Sequence, residues 1–442
     1  MKELCGALHA NSHLTQLNLS SNRLSAEGAE ALMRSLEGNR VLISLNLSFN
    51  HIGPQGAKSL AQFLKYNSSL ETLDISNTRI MSKGARFISE ALQDNDTLTN
   101  LILQGNQIGF EGLKSISDLI QLNSSIVSLN LSKNHIGRTT LQLLSNALKV
   151  NVTLLILDLE SIDIESEASR YLSEALELNS SLKILHLGSN RIGPDGMKHI
   201  AKSLEHNRTL LSLHIEGNNI MCEGVKYLAE SLQANTTLQN LNLDNNRIGC
   251  PGIEFLSKSL SSIKKLELRY NAFNSSIAIK HISRALEQNT SIRTLDLSGN
   301  PIEMEGLKAI SHSLKVNSTL TDLKLRFTEE QYKGEQHLLN ALRTNYSLLR
   351  LDRNFTLLHK RSVIKLLKRN EDIHIIRNFP LTFHKLPLLW KVTSLEVLLV
   401  TTTLRIPKDI KILLVQSILK RLWTWELPNV WTSKLLHYFD NR

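Results

Sequence analysis

Two histidines occupy the same position in two neighbouring, similar stretches of the chain. His186 lies in the sequence Leu-His-Leu, and His214 lies 28 residues later in Leu-His-Ile. The alternation of apolar and polar residues predicts a strand in each stretch, and the equal spacing places the two imidazoles side by side. The acidic residues Glu216 and Asp244 follow on the same predicted surface. Imidazoles and carboxylates are metal ligands, but solvated polar residues on a sheet are the commoner arrangement, and we assign no metal site.

Two later strands carry charged residues directly followed by an aromatic residue. One such run ends at Tyr270 and the other at Phe327. Arginine and aromatic side chains are enriched at the centres of protein interfaces, so this surface is the candidate for partner binding. Phe327 also fits a second interpretation, as a core residue beneath the C-terminal region. The candidate partner-binding residues are His186, His214, Glu216, Asp244, Lys265, Glu267, Arg269, Tyr270, Lys324, Arg326 and Phe327.

The sequence lacks motifs for catalysis. No Gly-rich phosphate loop follows a predicted strand, and no nucleophile elbow or paired metal-binding motif is present. The three cysteines, Cys5, Cys222 and Cys250, make no disulfide framework and are typical of a reducing compartment. We therefore expect a protein that is not an enzyme and that needs no cofactor.

The candidate residues are positioned by a repeat of 28 residues. In one unit, Leu185 and Leu187 alternate with polar residues, and the apolar residues that follow Gly196 recur every fourth position. This change of period predicts a strand, a turn and a helix, and such a unit buries its apolar edge only by stacking. Twelve units begin at Leu14, Leu42, Leu70, Leu98, Ile126, Leu154, Leu182, Leu210, Leu238, Ile263, Ile292 and Leu320, and a degraded thirteenth begins at Leu348.

This pattern resembles the leucine-rich repeat, and its period is similar to that of the ribonuclease-inhibitor-type class. The resemblance implies an α/β solenoid of horseshoe shape, with a parallel β-sheet on the concave face and α-helices on the convex face. To this we add a small, mainly helical C-terminal cap. We divide the chain into an N-terminal half-repeat at residues 1–13, a repeat domain at 14–370, and a basic, Trp-rich helical region at 371–442.

An asparagine recurs where each predicted strand ends. A buried Asn side chain satisfies backbone groups that a bend leaves unpaired, so we expect a structural column. Ile162 interrupts this column, and the unit that begins at Leu238 has only 25 residues, so we expect irregularities between about 135 and 170 and at the short unit. The column consists of Asn22, Asn50, Asn106, Asn134, Asn190, Asn218, Asn246, Asn271 and Asn300.

The C-terminal quarter differs in charge and composition. Residues 320–442 contain 21 Lys and Arg against 11 Asp and Glu, a surplus equal to the net charge of +10. Residues 357–369 predict a basic amphipathic helix, residues 373–376 a short strand, and later residues further helices. Three interpretations fit the Trp-rich region: a cap on the last repeat, contact of residues 380–442 with an anionic membrane surface, or a separate partner-binding module.

We expect a cytosolic protein, because the N-terminal residues lack the apolar run of a signal peptide and no stretch is apolar enough to span a membrane. Near-identical repeats and abundant Asn, Ser, Ile and Lys resemble leucine-rich-repeat effectors that intracellular bacterial pathogens deliver into host cells. The resemblance implies a non-catalytic scaffold that binds a host protein in the host cytoplasm. We expect a monomer, no binding of nucleic acid, and an acidic partner as one option.

Two functions of other classes remain as alternatives. The array also resembles the GTPase-activating proteins of the Ran pathway, which implies a regulator of a small GTPase. The basic Trp-rich region favours instead a scaffold associated with a membrane.

Overall fold

The computed structural model describes residues 2–9, 11–134, 136–273, 275–326, 334–352 and 357–377. Within these residues, short parallel strands alternate with helices along the chain. The strands are β1 (Gln16–Asn18), β2 (Ser44–Asn46), β3 (Thr72–Asp74), β4 (Asn100–Ile102), β5 (Ser128–Asn130), β6 (Ile156–Asp158), β7 (Ile184–His186), β8 (Ser212–His214), β9 (Asn240–Asn242), β10 (Lys265–Glu267), β11 (Thr294–Asp296), β12 (Asp322–Lys324) and β13 (Arg350–Asp352).

One helix precedes the first strand, and one helix follows each strand. None within the described part of the chain is both long and apolar enough to cross a membrane. They are α1 (Lys2–His9), α2 (Ala26–Ser35), α3 (Gly53–Tyr66), α4 (Met81–Leu92), α5 (Phe110–Leu122), α6 (Arg138–Val150), α7 (Ser166–Leu178), α8 (Gly193–Leu204), α9 (Met221–Ala234), α10 (Gly249–Leu256), α11 (Ser276–Gln288), α12 (Met304–Val316), α13 (Glu335–Thr344) and α14 (Leu357–Arg377).

All thirteen strands form one parallel sheet in the order of the sequence. Each strand pairs with the next in a register of one repeat, as Leu185 does with Leu213. These central leucines are fully buried. Both residues that flank Leu185 are half-buried, and beside Leu213 the residue Ser212 is buried and His214 is half-buried. Strands pair about 4.8 Å apart while packed helices need about 8–10 Å, so the array bends with the sheet on its concave face. The predicted leucine-rich-repeat solenoid is thus confirmed.

Neighbouring helices approach each other closely at their first turns. Gly112 in α5 is an example, because a Cβ atom there would lie 2.8 Å from Cα of Ser82 in the preceding repeat and 2.8 Å from Cγ2 of Ile108. Real Cβ atoms essentially never come so near to backbone atoms. The missing side chain therefore sets how tightly α5 packs on α4.

The asparagine at the end of each strand bonds to the backbone of the preceding repeat. Asn106 is fully buried, and its Nδ2 donates to the carbonyls of Ile75 and Leu103 at 2.7 and 3.1 Å. Its Oδ1 accepts the N–H groups of Thr78 and Ile80 at 3.0 and 3.3 Å. Equivalent bonds to the preceding repeat are made by Asn50, Asn134, Asn190, Asn218, Asn246, Asn271 and Asn300. Asn22 has no strand before it, is exposed, and donates to the carbonyl of Ser20.

A second column of asparagines lies where each helix ends. Oδ1 of Asn179 accepts the N–H groups of Ser181 and Leu182, while its Nδ2 donates to the carbonyls of Leu148 and Asn151. Such bonds satisfy helix-end carbonyls that have no partner within their own helix. The column consists of Asn67, Asn95, Asn123, Asn151, Asn179, Asn207, Asn235, Asn289, Asn317 and Asn345.

The two irregular units leave the sheet intact. At Ile162 the N–H of Ile136 donates to the main-chain carbonyl of Ile162 at 3.2 Å, where other repeats use an asparagine Oδ1. In the unit of 25 residues the register still pairs Leu241 with Leu266, and helix α10 is shortened to 8 residues. The differences from the 28-residue repeat are therefore confined to loops and helices, because every repeat must supply the same three residues to the paired strands.

The strand predicted at residues 373–376 is wrong, because α14 continues as a helix to Arg377. Asn370 and Ile373, nearly one turn apart on this helix, are both fully buried. Nδ2 of Asn370 donates to the carbonyls of Asn345 and Leu348, which ties the helix to the last repeat. A helical period thus buries the apolar residue that suggested a strand. The cap and the further helices predicted beyond residue 377 lie outside the described residues.

Candidate binding surface on the concave face

The concave face is formed by the residues that flank the buried leucine of each strand. In β10, for example, Lys265 and Glu267 point outwards on either side of Leu266, which is fully buried. Arg269 and Tyr270 follow, where the strand turns towards the next helix. Strands β7 to β12 therefore bring ten of the eleven candidate residues onto one continuous surface.

The two histidines of this surface stack face to face. The ring centroids of His186 and His214 are 4.3 Å apart, with an angle of 20° between the planes. Nε2 of His214 lies 3.0 Å from the hydroxyl oxygen of Ser212. Burial, followed by the charge of His186, lowers the pKa of His214 from 6.5 to about 4, so this ring is neutral at pH 7.

The stacked geometry does not suit a shared metal ion. Ring nitrogens bind a metal in the plane of the imidazole, and two nearly parallel planes do not converge on one point. Among the residues that the structure describes, no group of three His, Cys, Asp or Glu side chains is placed to hold a metal. The stacked pair presents a flat aromatic area on the concave face.

Glu216, which is half-buried, and Asp244, which is buried, lie beyond the ends of β8 and β9 on the same surface. Burial raises the pKa of Glu216, and the nearby Glu160 and Asp244 raise it further. Oε2 of Glu216 is buried and has no hydrogen-bond partner among the residues that the structure describes. The side chain lies against Gly188, where a Cβ atom would be 2.8 Å from Cδ. Such an oxygen is unfavourable unless a donor reaches it, so Glu216 is a site at which a partner can supply one.

Cations at the C-terminal end of the surface are bound by carboxylates of neighbouring strands. Nε of Arg269 lies 2.7 Å from Asp244 and 3.9 Å from Asp296, and the ammonium group of Lys324 lies 3.4 Å from Asp296. Burial raises the pKa of Asp244, although the hydrogen bond from Arg269 opposes this rise. The side chains on this part of the sheet are therefore ordered before any partner arrives.

Further ion pairs extend the same arrangement. Lys265 contacts Glu267 at 2.9 Å within β10, and Arg326 contacts Asp352 at 2.9 Å. The sequence interpretation missed Asp296 and Asp352 as partners of these cations. The 28-residue register was a usable signal for Asp296, because this register places it directly opposite Lys324.

Tyr270 is the most exposed apolar group of the surface. Its side chain is 63% exposed, its φ angle is 54°, and its ring covers Gly299, where a Cβ atom would be 2.4 Å from the ring. An exposed aromatic ring beside Arg269 has the composition of an interface hot spot. Phe327, the eleventh candidate, lies outside the described residues.

Comparisons with known proteins agree with the repeat architecture. The family model of the MHP1/HER1/GIP3 LRR domain matches residues 10–271, and a leucine-rich-repeat model matches residues 288–311. No curated protein matches the chain.

Several solved structures are similar to it. One is leiomodin-1 actin-binding site 2, at 23% identity and a TM-score of 0.31, covering 43% of this chain and 97% of that one. Another is the tropomodulin C-terminal domain of Caenorhabditis elegans, at 17% identity and a TM-score of 0.29, covering 41% and 96%. A third is a chain of the yeast Rad7 and Elc1 complex, at 14% identity and a TM-score of 0.46, covering 75% and 84%.

Proposed function

The chain belongs to the MHP1/HER1/GIP3 LRR domain family, and we propose that it is a non-catalytic scaffold that binds another protein through the concave face of its C-terminal repeats. Leucine-rich-repeat scaffolds commonly bind proteins, because a stacked sheet offers a large preformed surface. The proposal goes beyond the family in naming strands β7 to β12 as the surface in contact with the partner.

The observation that carries the proposal is the exposed ring of Tyr270 within an ordered charged surface. Arg269, Lys324 and Asp296 are already paired, so binding orders few additional side chains. Tyr270 supplies apolar area, and the unpartnered Oε2 of Glu216 can accept a hydrogen bond from the partner. An aromatic anchor surrounded by polar groups is the usual composition of a binding centre.

We further propose that the repeats are of the ribonuclease-inhibitor type and that the protein is a bacterial effector whose partner is a host protein. Full helices of up to 14 residues in the 28-residue units support the repeat type. The uniformity of the repeats and the three free thiols support action in a reducing host cytoplasm. In this role the protein acts as a monomer.

A double variant, Tyr270→Ala with Arg326→Ala, tests the proposed surface. Affinity capture from host-cell lysate, followed by mass spectrometry, is compared between this variant and the unaltered protein. We expect the captured partner to be lost while Tm stays unchanged, because both side chains are exposed. The matched control is Tyr66→Ala with Arg86→Ala, an exposed aromatic and arginine on the convex helices. Equal capture by all three proteins would show that another surface binds the partner.

A further inference from the structure

The connections from the first three strands to their helices, up to the first residue of α4, carry exposed bulky and basic side chains. Phe49 is 59% exposed and Met81 is 45% exposed. Arg23, His51 and Arg79 are exposed on the same loops. We call these five residues the N-terminal rim. The rim lies where β1, β2 and β3 turn towards their helices, several repeats away from the surface around Tyr270.

The backbone of the rim does not favour its bulky residues. Phe49 has a φ angle of 54° and Met81 one of 55°, which is the left-handed region where a side chain is strained. The N–H of Phe49 donates to the carbonyl of Ser76 at 2.8 Å, so the repeat frame imposes this conformation. Some repeats have glycine here, at Gly105, Gly217 and Gly299 for the position of Phe49 and at Gly53, Gly193 and Gly249 for that of Met81. Other repeats have a side chain in the same left-handed conformation, mostly a small or polar one such as Asn77 or Ser189.

These two side chains therefore add little to the stability of the fold. Each is largely in water, so it buries little apolar area, and each occupies a conformation that glycine adopts more readily. Bulky residues in unfavourable backbone regions occur where function needs them. The rim thus has the features of a contact surface.

The charge of the rim indicates what it contacts. Arg23 and Arg79 make no ion pair with any residue that the structure describes. In the same repeats, Glu27 accepts the hydroxyl of Ser25 at 2.7 Å and Asp74 accepts that of Ser76 at 2.6 Å, and neither carboxylate forms an ion pair with Arg23 or Arg79. The two guanidinium groups are therefore available for external carboxylates, which they can bind with two parallel hydrogen bonds.

We propose that the N-terminal rim binds an acidic segment of a partner protein that also carries apolar side chains. Carboxylates of the segment pair with Arg23 and Arg79, which stand two repeats apart, or about 10 Å at the spacing of paired strands. Apolar side chains of the segment cover Phe49 and Met81. This surface is independent of the concave one and gives the protein a second site of contact.

The test measures fluorescence anisotropy of a labelled peptide of repeated Glu-Glu-Leu triplets on the full chain, at low and high salt. Peptides of Lys-Lys-Leu and Glu-Glu-Ser triplets test the need for negative charge and for apolar side chains. One rim variant is Arg23→Glu with Arg79→Glu. Its control reverses two exposed lysines that also lie two repeats apart, on helices α3 and α5, as Lys58→Glu with Lys114→Glu. The other variant is Phe49→Gly, and its control is Ser189→Gly at the equivalent left-handed position.

We expect the Glu-Glu-Leu peptide to bind best, more weakly at high salt, and each rim variant to weaken its binding by roughly tenfold or more. Both controls and the variant Tyr270→Ala with Arg326→Ala should bind it as the unaltered protein does. Phe49→Gly should have a Tm equal to or above that of the unaltered protein, which separates loss of contact from loss of folding.

The proposal is overturned if the unaltered protein does not bind the Glu-Glu-Leu peptide, if the rim variants bind it normally, or if the basic peptide binds equally well. It is also overturned if a single-stranded oligonucleotide, rather than the acidic peptide, binds in a rim-dependent way. If sedimentation shows that the unaltered protein is a dimer and that the rim variants are not, the rim binds a second copy of the chain and not an acidic segment, and the proposal is overturned.

Discussion

Replacing Asn106 by alanine tests the hydrogen bonds that join neighbouring repeats. The side chain is fully buried, and its Oδ1 is the acceptor for the N–H groups of Thr78 and Ile80. Neither N–H group has another acceptor among the described residues. The variant Asn106→Ala therefore leaves two buried donors unsatisfied.

The two carbonyl groups that accept from Nδ2 of Asn106 depend less on this side chain. Ile75 keeps the hydroxyl of Thr78 as a donor, and Leu103 keeps Nδ2 of Asn134. The loss is therefore governed by the two N–H groups, at about 1–3 kcal/mol each for a buried group without a partner. We expect Asn106→Ala to lower the free energy of unfolding by roughly 2–6 kcal/mol.

Hydrogen exchange and urea unfolding together measure this effect. Exchange should accelerate at the amides of Thr78 and Ile80, and the unfolding midpoint should fall. Asn22→Ala is the matched control, because Asn22 holds the same position in the first repeat but is exposed, and its side chain donates to the carbonyl of Ser20 in its own repeat. We expect it to change stability by less than about 1 kcal/mol. Equal effects of the two variants, with both amides still protected, would refute the argument.

Three further outcomes follow from the site and the packing. Glu216→Gln should raise Tm at pH 7, because it removes a buried charge. The gain should vanish as the pH is lowered below 4.5, where the carboxyl group is protonated in the folded and in the unfolded chain. A Tm gain that persists at low pH would contradict this. The unaltered protein should lose stability as the pH falls from 6.5 towards 4, because His214 is protonated in this range only in the unfolded chain. In thermal melts over the same pH range, the Tm of His214→Asn should fall less than that of the unaltered protein. Gly112→Ala should lower Tm, since its Cβ meets the Cα atom of Ser82. Gly137→Ala should lower Tm less, because open space surrounds this position. Equal melting curves for the two variants would show that the helices shift apart to accommodate the Cβ atom.

The sequence predicted the scaffold because the repeat fixes which residues must be buried. Leu185 and Leu213 are in register in the sheet as their spacing required, and the short unit near Leu266 kept its strand. The hydrogen bonds of Asn179 were harder to predict, since an asparagine in a loop has several possible partners close in sequence. Its bond to Leu148 forms only because the end of the preceding helix is stacked against it.

The candidate site was less predictable. Repeat spacing placed His186 beside His214, but the stacking of the rings depends on side-chain rotamers that no pattern specifies. The left-handed backbone at Phe49 also escaped notice, because glycine marks this position in other repeats and not in its own. The strand expected at residues 373–376 failed because a short apolar run fits a buried helix equally well.

The asparagine bonds have a direction along the chain. Oδ1 of Asn50 completes the backbone of the repeat that contains Leu24, and Asn106 does the same for the repeat that contains Ile80. In repeats joined in this way, these N–H groups gain their asparagine acceptor only when the next repeat is in place. A ribosome releases the N-terminal residues first. During synthesis, such a repeat can therefore form its full set of hydrogen bonds only after the next repeat has emerged. Truncation is unequal for the same reason. Removing repeats from the C-terminal end takes away the acceptors of backbone N–H groups, whereas removal from the N-terminal end takes away carbonyl acceptors of asparagine Nδ2 groups.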